Sequence, residues 1–494
     1  MVMTLLVLSS AAVAVAGFMP NVRIDHQNQS NYTCCKCAIT IGPGAQPNQP
    51  LYVAFQGDTL PGGRSDIWFQ KSTDAGRTWL AEDLLIRRGD RYAVYPDITT
   101  DSDGNVYVVY KDVYIDTVGA RNYQVSCVRS SDGGATWTAP ARVDDSSNGA
   151  IGWARIAADS AGNLFCAWNQ LPGGISHVFS SVSTDKGATW SPQVRVDNDT
   201  TTAGVYHADV FVQPGTNHYL VAATVPLWVG GYIKRGAYLY RSTDRGLTFQ
   251  PGVQLDTFNW NTCESHVVAD RDHIICDYFG PSRNARDRML VEARTFYTQA
   301  DTWGAPSSVT ELDTLHSLYY SGKLALSADG RVHTALMICH TGEWLSDVYY
   351  TSSSDHGVSW SDLELVNDDT SGNSGYLDIG TDVAGHAYVV WMAASERREI
   401  WFSTNNPAGI AEQAQQPCTT WPIATVVRNV LFLPGAIGPK PQAPSCLLDI
   451  SGREVLVLKP GENDVRALAP GVYFVREAQA HAQAHAVRKV VVTR

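Results

Sequence analysis

The feature that most constrains this chain is a nine-residue stretch that keeps returning. "KSTDAGRTW" (71–79) recurs as "RSSDGGATW" (129–137), "VSTDKGATW" (182–190), "RSTDRGLTF" (241–249) and "SSSDHGVSW" (352–360). The aspartates are Asp74, Asp132, Asp185, Asp244 and Asp355, separated by 58, 53, 59 and 111 residues, the last close to two periods. Decayed copies fall where the period puts them, at "FYTQADTWG" (296–304) and "FSTNNPAG" (402–409). A repeat of this length belongs to a propeller or an array, because one unit cannot bury its apolar face alone.

Each unit has the same internal order. A short strand, a turn and a second apolar strand read as "PDITTDSDGNVYVVYKD" (96–112), "ARIAADSAGNLFCAWNQ" (154–170) and "LDIGTDVAGHAYVVWMA" (377–393). A third strand enters the Asp-Gly turn and a fourth leaves it, and four antiparallel strands make one propeller blade. First strands near Ala38, Asp97, Arg155, Asp209, His266, Lys323 and Asp378 predict seven blades, with six as the alternative count. The last unit lacks a fourth strand, and "PNVRID" (20–25) is a fourth strand with no unit before it. The N-terminal strand is therefore expected to complete the last blade and remove the open edge.

Composition agrees with an all-β chain and excludes some functions. Of 494 residues 44% are hydrophobic and 17% charged, with 41 glycines, 14 tryptophans and 22 tyrosines. A formal charge of −12 gives no pull toward nucleic acid or anionic lipid. The opening "MVMTLLVLSSAAVAVAGF" is too short to span a bilayer and carries Ala14-Val15-Ala16, so residues 1–16 read as a signal peptide, although no Lys or Arg precedes the apolar run. No later run is long enough to cross a membrane. Ten cysteines suit an exported chain; the "CCKC" cluster (Cys34, Cys35, Cys37) has no second ligand pair, so disulfides or buried thiols are expected there. No cofactor or metal site is expected.

The S-x-D-x-G-x-T-W boxes resemble the Asp-box (BNR) repeats of sialidase-like β-propellers, over about residues 20–410. The resemblance implies boxes on the blade periphery with a structural role, the carboxylate accepting backbone N–H groups, glycine allowing a positive φ and the aromatic ring packing between sheets. Residues 17–415 are assigned to the propeller, 416–445 to a Pro/Gly-rich linker and the start of a tail domain, and 446–494 to a small β-sandwich. Asp449-x-Ser451-Gly452-Arg453 and Gly471-Val472-Tyr473 resemble the C-terminal sorting domain of type IX secretion cargo. That resemblance implies a bacterial protein, secreted or attached at the outer surface, with the export machinery as a partner. His481 and His485 fall in an alternating stretch that reads as a surface hairpin. A monomer is expected.

In a propeller the first strands line the channel. Alignment on the shared turn puts Asp97, Arg155, Asp209, His266, Lys323 and Asp378 at one position, with Ala38 at the same place in the first unit. Two residues earlier stand Lys36, Tyr95, Trp153, His207, Glu264, Ser321 and Tyr376. Carboxylates, cations and aromatics facing one funnel are what a sugar pocket uses, and also what a self-neutralised channel contains.

The sialidase resemblance implies three arginines on the substrate carboxylate, a Tyr nucleophile polarised by a Glu, and an Asp acid/base. "CESHVV" resembles the segment with the catalytic Glu, making it Glu264, and "LYYSGKL" the nucleophile segment, making it Tyr320; Asp97 is the candidate acid/base. The arginine clamp departs from the pattern. Lys36 stands on the first inner strand, "ICDYFG" has no Arg, Arg283, Arg286 and Arg288 come later, and Arg155 alone is well placed. Lysine does not replace arginine at a bidentate site. Two readings follow: a propeller that binds glycans or proteins at its channel mouth without sialidase activity, or an exo-acting, sialidase-type glycoside hydrolase.

Overall fold

The computed structural model describes residues 17–26, 36–44, 49–60, 64–88, 92–115, 119, 121–145, 152–197, 205–229, 232–256, 264–281, 289–311, 316–340, 345–370, 373–394, 398–407, 425–427, 430–433, 445–448, 453–459, 461–476 and 487–492. The expected signal peptide, Cys34, Cys35, Arg283, Arg286, Arg288, Asp449, Ser451, Gly452, His481 and His485 lie outside them. Among the described residues every element is a strand except a 3-10 turn at Pro172–Gly174. The chain is all-β. It divides into two compact units, 1–411 and 412–494.

The first unit repeats one antiparallel motif. Arg155–Ala158 pairs with Leu164–Gln170, that strand with His177–Ser183, and the last with Val194–Arg195. The first strands of the successive repeats are Cys37–Ile41, Tyr92–Thr100, Arg155–Ala158, Tyr206–Val212, Ser265–Ala269, His316–Leu326 and Asn373–Thr381. Each lies beside the next in chain order, and Asn373–Thr381 lies beside Cys37–Ile41. Arg398–Thr404, the third strand of the last repeat, pairs with the N-terminal Val22–Arg23 in the register Val22↔Phe402 and Arg23↔Trp401. The expected N-terminal partner strand is present.

Second strands such as Val106–Tyr110 and Leu164–Trp168 are buried throughout, because neighbouring sheets cover both faces. The core therefore lies between repeats. Phe69, Tyr52 and Ile67 of the first repeat pack with Val106, Val108 and Tyr110 of the second. Phe402, Val390 and Tyr388 of the last pack with Leu51, Val53 and Phe55 of the first.

The boxes serve these junctions. In the first, Asp74 Oδ1 accepts the Thr78 N–H at 2.9 Å and Oδ2 accepts the Thr78 hydroxyl at 2.6 Å. Ser72 Oγ donates to Asp74 and accepts the Gly76 N–H at 2.9 Å, and Trp79 Nε1 donates to the Gly76 carbonyl. The box at Asp132 repeats every one of these bonds. Glycine is required on two grounds. Gly134 has φ +93°, and a Cβ there would sit 2.2 Å from the Phe69 ring of the preceding repeat; at Gly76, φ +89°, the clash would be with Phe402 at 2.3 Å. The box tryptophans complete the joint, Trp137 edge-on to Phe69 at 5.2 Å and Trp79 edge-on to Phe402 at 5.0 Å.

The second unit has a sheet of Thr425–Val427, Val487–Val492, Gly471–Arg476, Ser445–Leu448 and Glu454–Leu458, and a two-stranded pair of Val430–Leu433 with Gly461–Asp464. Leu447, Leu458, Val465 and Tyr473 form its small core. Among the described residues Cys37, Cys127, Cys166, Cys276, Cys339 and Cys446 are free thiols, all but Cys339 buried.

Candidate functional site

The aligned first-strand positions converge. Bulges at Val94/Asp97, Ser321/Leu324 and Gly375/Asp378 interrupt three first strands just where the ring residues emerge. They leave Tyr95 and Tyr376 in the left-handed region at φ +58° and +44°. Such backbone costs roughly 1–2 kcal/mol for a side chain with a Cβ. An outlier repeated at equivalent positions points to a site.

The three ring aspartates act first as ties. Asp97 Oδ2 accepts the Ile156 N–H at 2.9 Å, Asp209 Oδ2 the Val267 N–H at 3.2 Å, and Asp378 Oδ2 the Ile39 N–H at 2.9 Å. Each carboxylate thus holds the following first strand, and Asp378 joins the last to the first. Cations neutralise the aspartates. Lys323 Nζ meets Asp97 at 2.5 Å and Asp378 at 3.6 Å, while Arg155 lies 3.8 Å from both Asp97 and Asp209. Burial pushes the Asp97 carboxyl upward, but Lys323 and Arg155 outweigh it and hold it below the usual range. For Asp378 burial prevails and raises it against Lys323. Lys323 itself is raised, because Asp378 and Asp97 overcome its desolvation.

A second layer lies two residues earlier on the strands. Glu264 is buried, and desolvation lifts its carboxyl to about 7, against the pull of His266 and Lys36. His266 Nδ1 lies 2.8 Å from Asp277, and that carboxylate raises the imidazole in spite of burial. Lys36 is 6% exposed, and no described acceptor reaches its ammonium, which sits 4.2 Å over the Trp153 ring. Burial, then Arg155, push Lys36 well below the usual lysine range. The half-buried rings are contiguous, Trp153 lying 5.8 Å from Tyr95 and 6.4 Å from Tyr376 between ring centroids.

Asp97, Arg155, Asp209, Lys323 and Asp378 are thus joined by direct contacts, and Glu264, His266 and Lys36 act on one another electrostatically. Ala38 is buried in the apolar core. The side chains of His207 and Tyr320 lie outside the described atoms; Tyr320 pairs through its backbone with Met337. Asp74, Asp132, Asp185, Asp244 and Asp355 all spend their oxygens within their own turns. Sequence reading missed Asp277. It stands directly opposite His266 in the ladder, a register that "ICDYFG" alone does not announce.

Residues 49–270 match the BNR repeat-like domain. The BNR repeat-like region runs from the first repeat to the first turn of the fifth, and with the all-β fold it supports the sialidase-like resemblance. No curated protein matches the chain. Among solved structures, a polysaccharide lyase of family PL25, an ulvan lyase, is 10% identical with a TM-score of 0.51, over 74% of this chain and 90% of that one. The Penicillium chrysogenum alpha-L-arabinanase is 13% identical with a TM-score of 0.45, over 78% and 98%. The NanB sialidase of Streptococcus pneumoniae is 12% identical with a TM-score of 0.41, over 77% and 70%. At such identities the likeness to the lyase is one of fold.

Proposed function

We propose that the first unit is a closed, seven-bladed β-propeller that binds glycans at the mouth of its central channel without cleaving them. The observation that carries this reading is the engagement of Asp97, Asp209 and Asp378 as strand ties already neutralised by Lys323 and Arg155. A glycosidase needs two carboxylates free to exchange protons or attack the sugar. The contiguous Tyr95, Trp153 and Tyr376 rings supply the flat apolar surface that sugar faces stack on. Seven successive first strands, each beside the next, support the blade count. The second unit is proposed as the sorting domain of a secreted or surface-attached protein; the order of Arg453, Gly471 and Tyr473 supports it.

The alternative, an exo-acting glycoside hydrolase of sialidase type, is favoured by one observation, a buried Glu264 that is part-protonated near neutral pH. A glycan array on the full chain, followed by hydrolysis assays on every hit, separates the two. Binding that is lost in Trp153→Ala, with no sugar released, supports the binding reading. Sugar release abolished by Glu264→Gln establishes the hydrolase. A chain that neither binds nor cleaves any glycan overturns both.

A further inference from the structure

Away from the channel, one junction between repeats differs in chemistry from the others. In the third repeat the residue after the box aspartate, Lys186 at φ +60°, reaches the first turn of the preceding repeat and pairs with Asp103 at 2.6 Å. In the sixth repeat that box position is His356, at φ +58°. It also reaches the preceding repeat's first turn, where Asp270 and His273 stand. Its Nε2 lies 3.3 Å from Asp270 Oδ2. His273 Nδ1 lies 3.1 Å from both oxygens of the same carboxylate, and the two imidazoles stack at 3.9 Å between centroids. One donor atom from each residue falls within a sphere of contacts no wider than 4.8 Å.

We propose that Asp270, His273 and His356 form a binding site for a divalent transition-metal ion of the zinc class, linking the fifth and sixth repeats. Zinc–nitrogen and zinc–oxygen bonds of about 2.0–2.2 Å in a tetrahedral shell set donor atoms roughly 3.3 Å apart, the spacing found here. Two imidazoles and one carboxylate suit zinc, cobalt or nickel and are a poor cage for calcium or magnesium, which take oxygen. The donors are held in place before any ion arrives. Asp270 Oδ1 accepts the N–H groups of Asp272 and His273 at 2.7 Å each, fixing the carboxylate in its turn. Gln213 Nε2 donates to the Asp270 and Arg271 carbonyls, and Thr295 Oγ1 donates to the His356 carbonyl at 2.6 Å. All three ligands are partly exposed, at 23–32%, so an ion has a route in and water can complete its shell. A lysine at the box position makes a plain ion pair; a histidine beside a second histidine makes a chelate.

The test uses the tag-free full chain, stripped with a chelator and titrated with zinc chloride by calorimetry, with elemental analysis of the dialysed protein. One zinc per chain is expected, and zinc should raise the melting temperature, since an ion that binds only the folded form stabilises it. His356→Lys restores the kind of pair seen at Lys186 and keeps the junction closed, so it should fold. Its zinc affinity should fall by roughly 100-fold or more, since even changes in groups that merely orient ligands cost 10–100-fold. Asp270→Asn should do the same. Wild-type protein that takes up no zinc overturns the proposal. So does zinc binding that persists unchanged in both variants, which would place the ion elsewhere, for example at the histidines of the tail.

Discussion

The rim and the channel of the first unit are built from the same repeat and obey opposite rules. On the rim, Asp74 and Asp132 make the same bonds to Thr78 and Thr136, and Gly76 and Gly134 meet a phenylalanine of the preceding repeat in the same way. In the channel, one aligned position is Asp97, Arg155, Asp209, His266, Lys323 or Asp378 in turn, and each side chain is satisfied by a different one. Identity is kept where every repeat has the same neighbour to grip. It is given up where the repeats face one another around a shared space.

This contrast can be broken by substitution. Asp97→Ala should have the largest effect. It removes the acceptor of the Ile156 N–H and leaves Lys323 and Arg155 buried with less opposing charge, a loss of about 3–5 kcal/mol on breaking a buried pair. Denaturant melts measure it, and a loss below 1 kcal/mol would mean the ring is not holding the strands. Glu264 should show itself through pH. Folding raises its carboxyl from an ordinary 4.5 to about 7, so the folded state keeps a proton that the unfolded state releases. Stability should therefore fall as pH rises across that window, by a few kcal/mol at most, on the order of 3. Glu264→Gln should flatten that part of the profile of melting temperature against pH, and an unchanged slope would remove Glu264 from the account.

On the rim, Gly134→Ala should cost about 2–4 kcal/mol, from a methyl driven into Phe69 and a left-handed backbone. Gly119 also has a positive φ but open space around it, so Gly119→Ala should cost only the backbone share, about 1–2 kcal/mol. The difference between the two isolates the packing at the joint. Asp74→Ala should be smallest, about 1 kcal/mol, because its turn is largely open to water and each exposed hydrogen bond is worth little. If Asp74→Ala proved as damaging as Asp97→Ala, rim and channel would be equal partners in stability.

The same contrast explains how much could be read from the sequence. Box positions and first strands were legible because they recur, and the N-terminal strand because the last repeat lacked a fourth. The ring residues were legible as positions, yet their work as ties was not. That Asp378 Oδ2 takes the N–H of Ile39 depends on two strands more than 300 residues apart in the chain. Lys36 over Trp153, and Asp277 behind His266, depend on which side chains cross a space that no spacing rule describes. His356 looked like one more variable box residue. Only the neighbouring repeat, with Asp270 and His273, gives it a chemistry.

The pairing of Val22 with Phe402 has a consequence in time. The strand made first by the ribosome has no partner until Arg398–Thr404 exists, 380 residues of separation later at Val22 and Phe402. Closing a loop of that length costs about 5 kcal/mol of chain entropy beyond a constant, so this ladder should be the last to zip and the first to fray. Until then the first repeat presents an unsealed flank where Phe402 will lie against Gly76 and Trp79. New termini cut into an exposed turn between two repeats, with the present ends joined, would turn this late long-range meeting into a local hairpin. Such a permuted chain should refold faster while keeping the same final contacts.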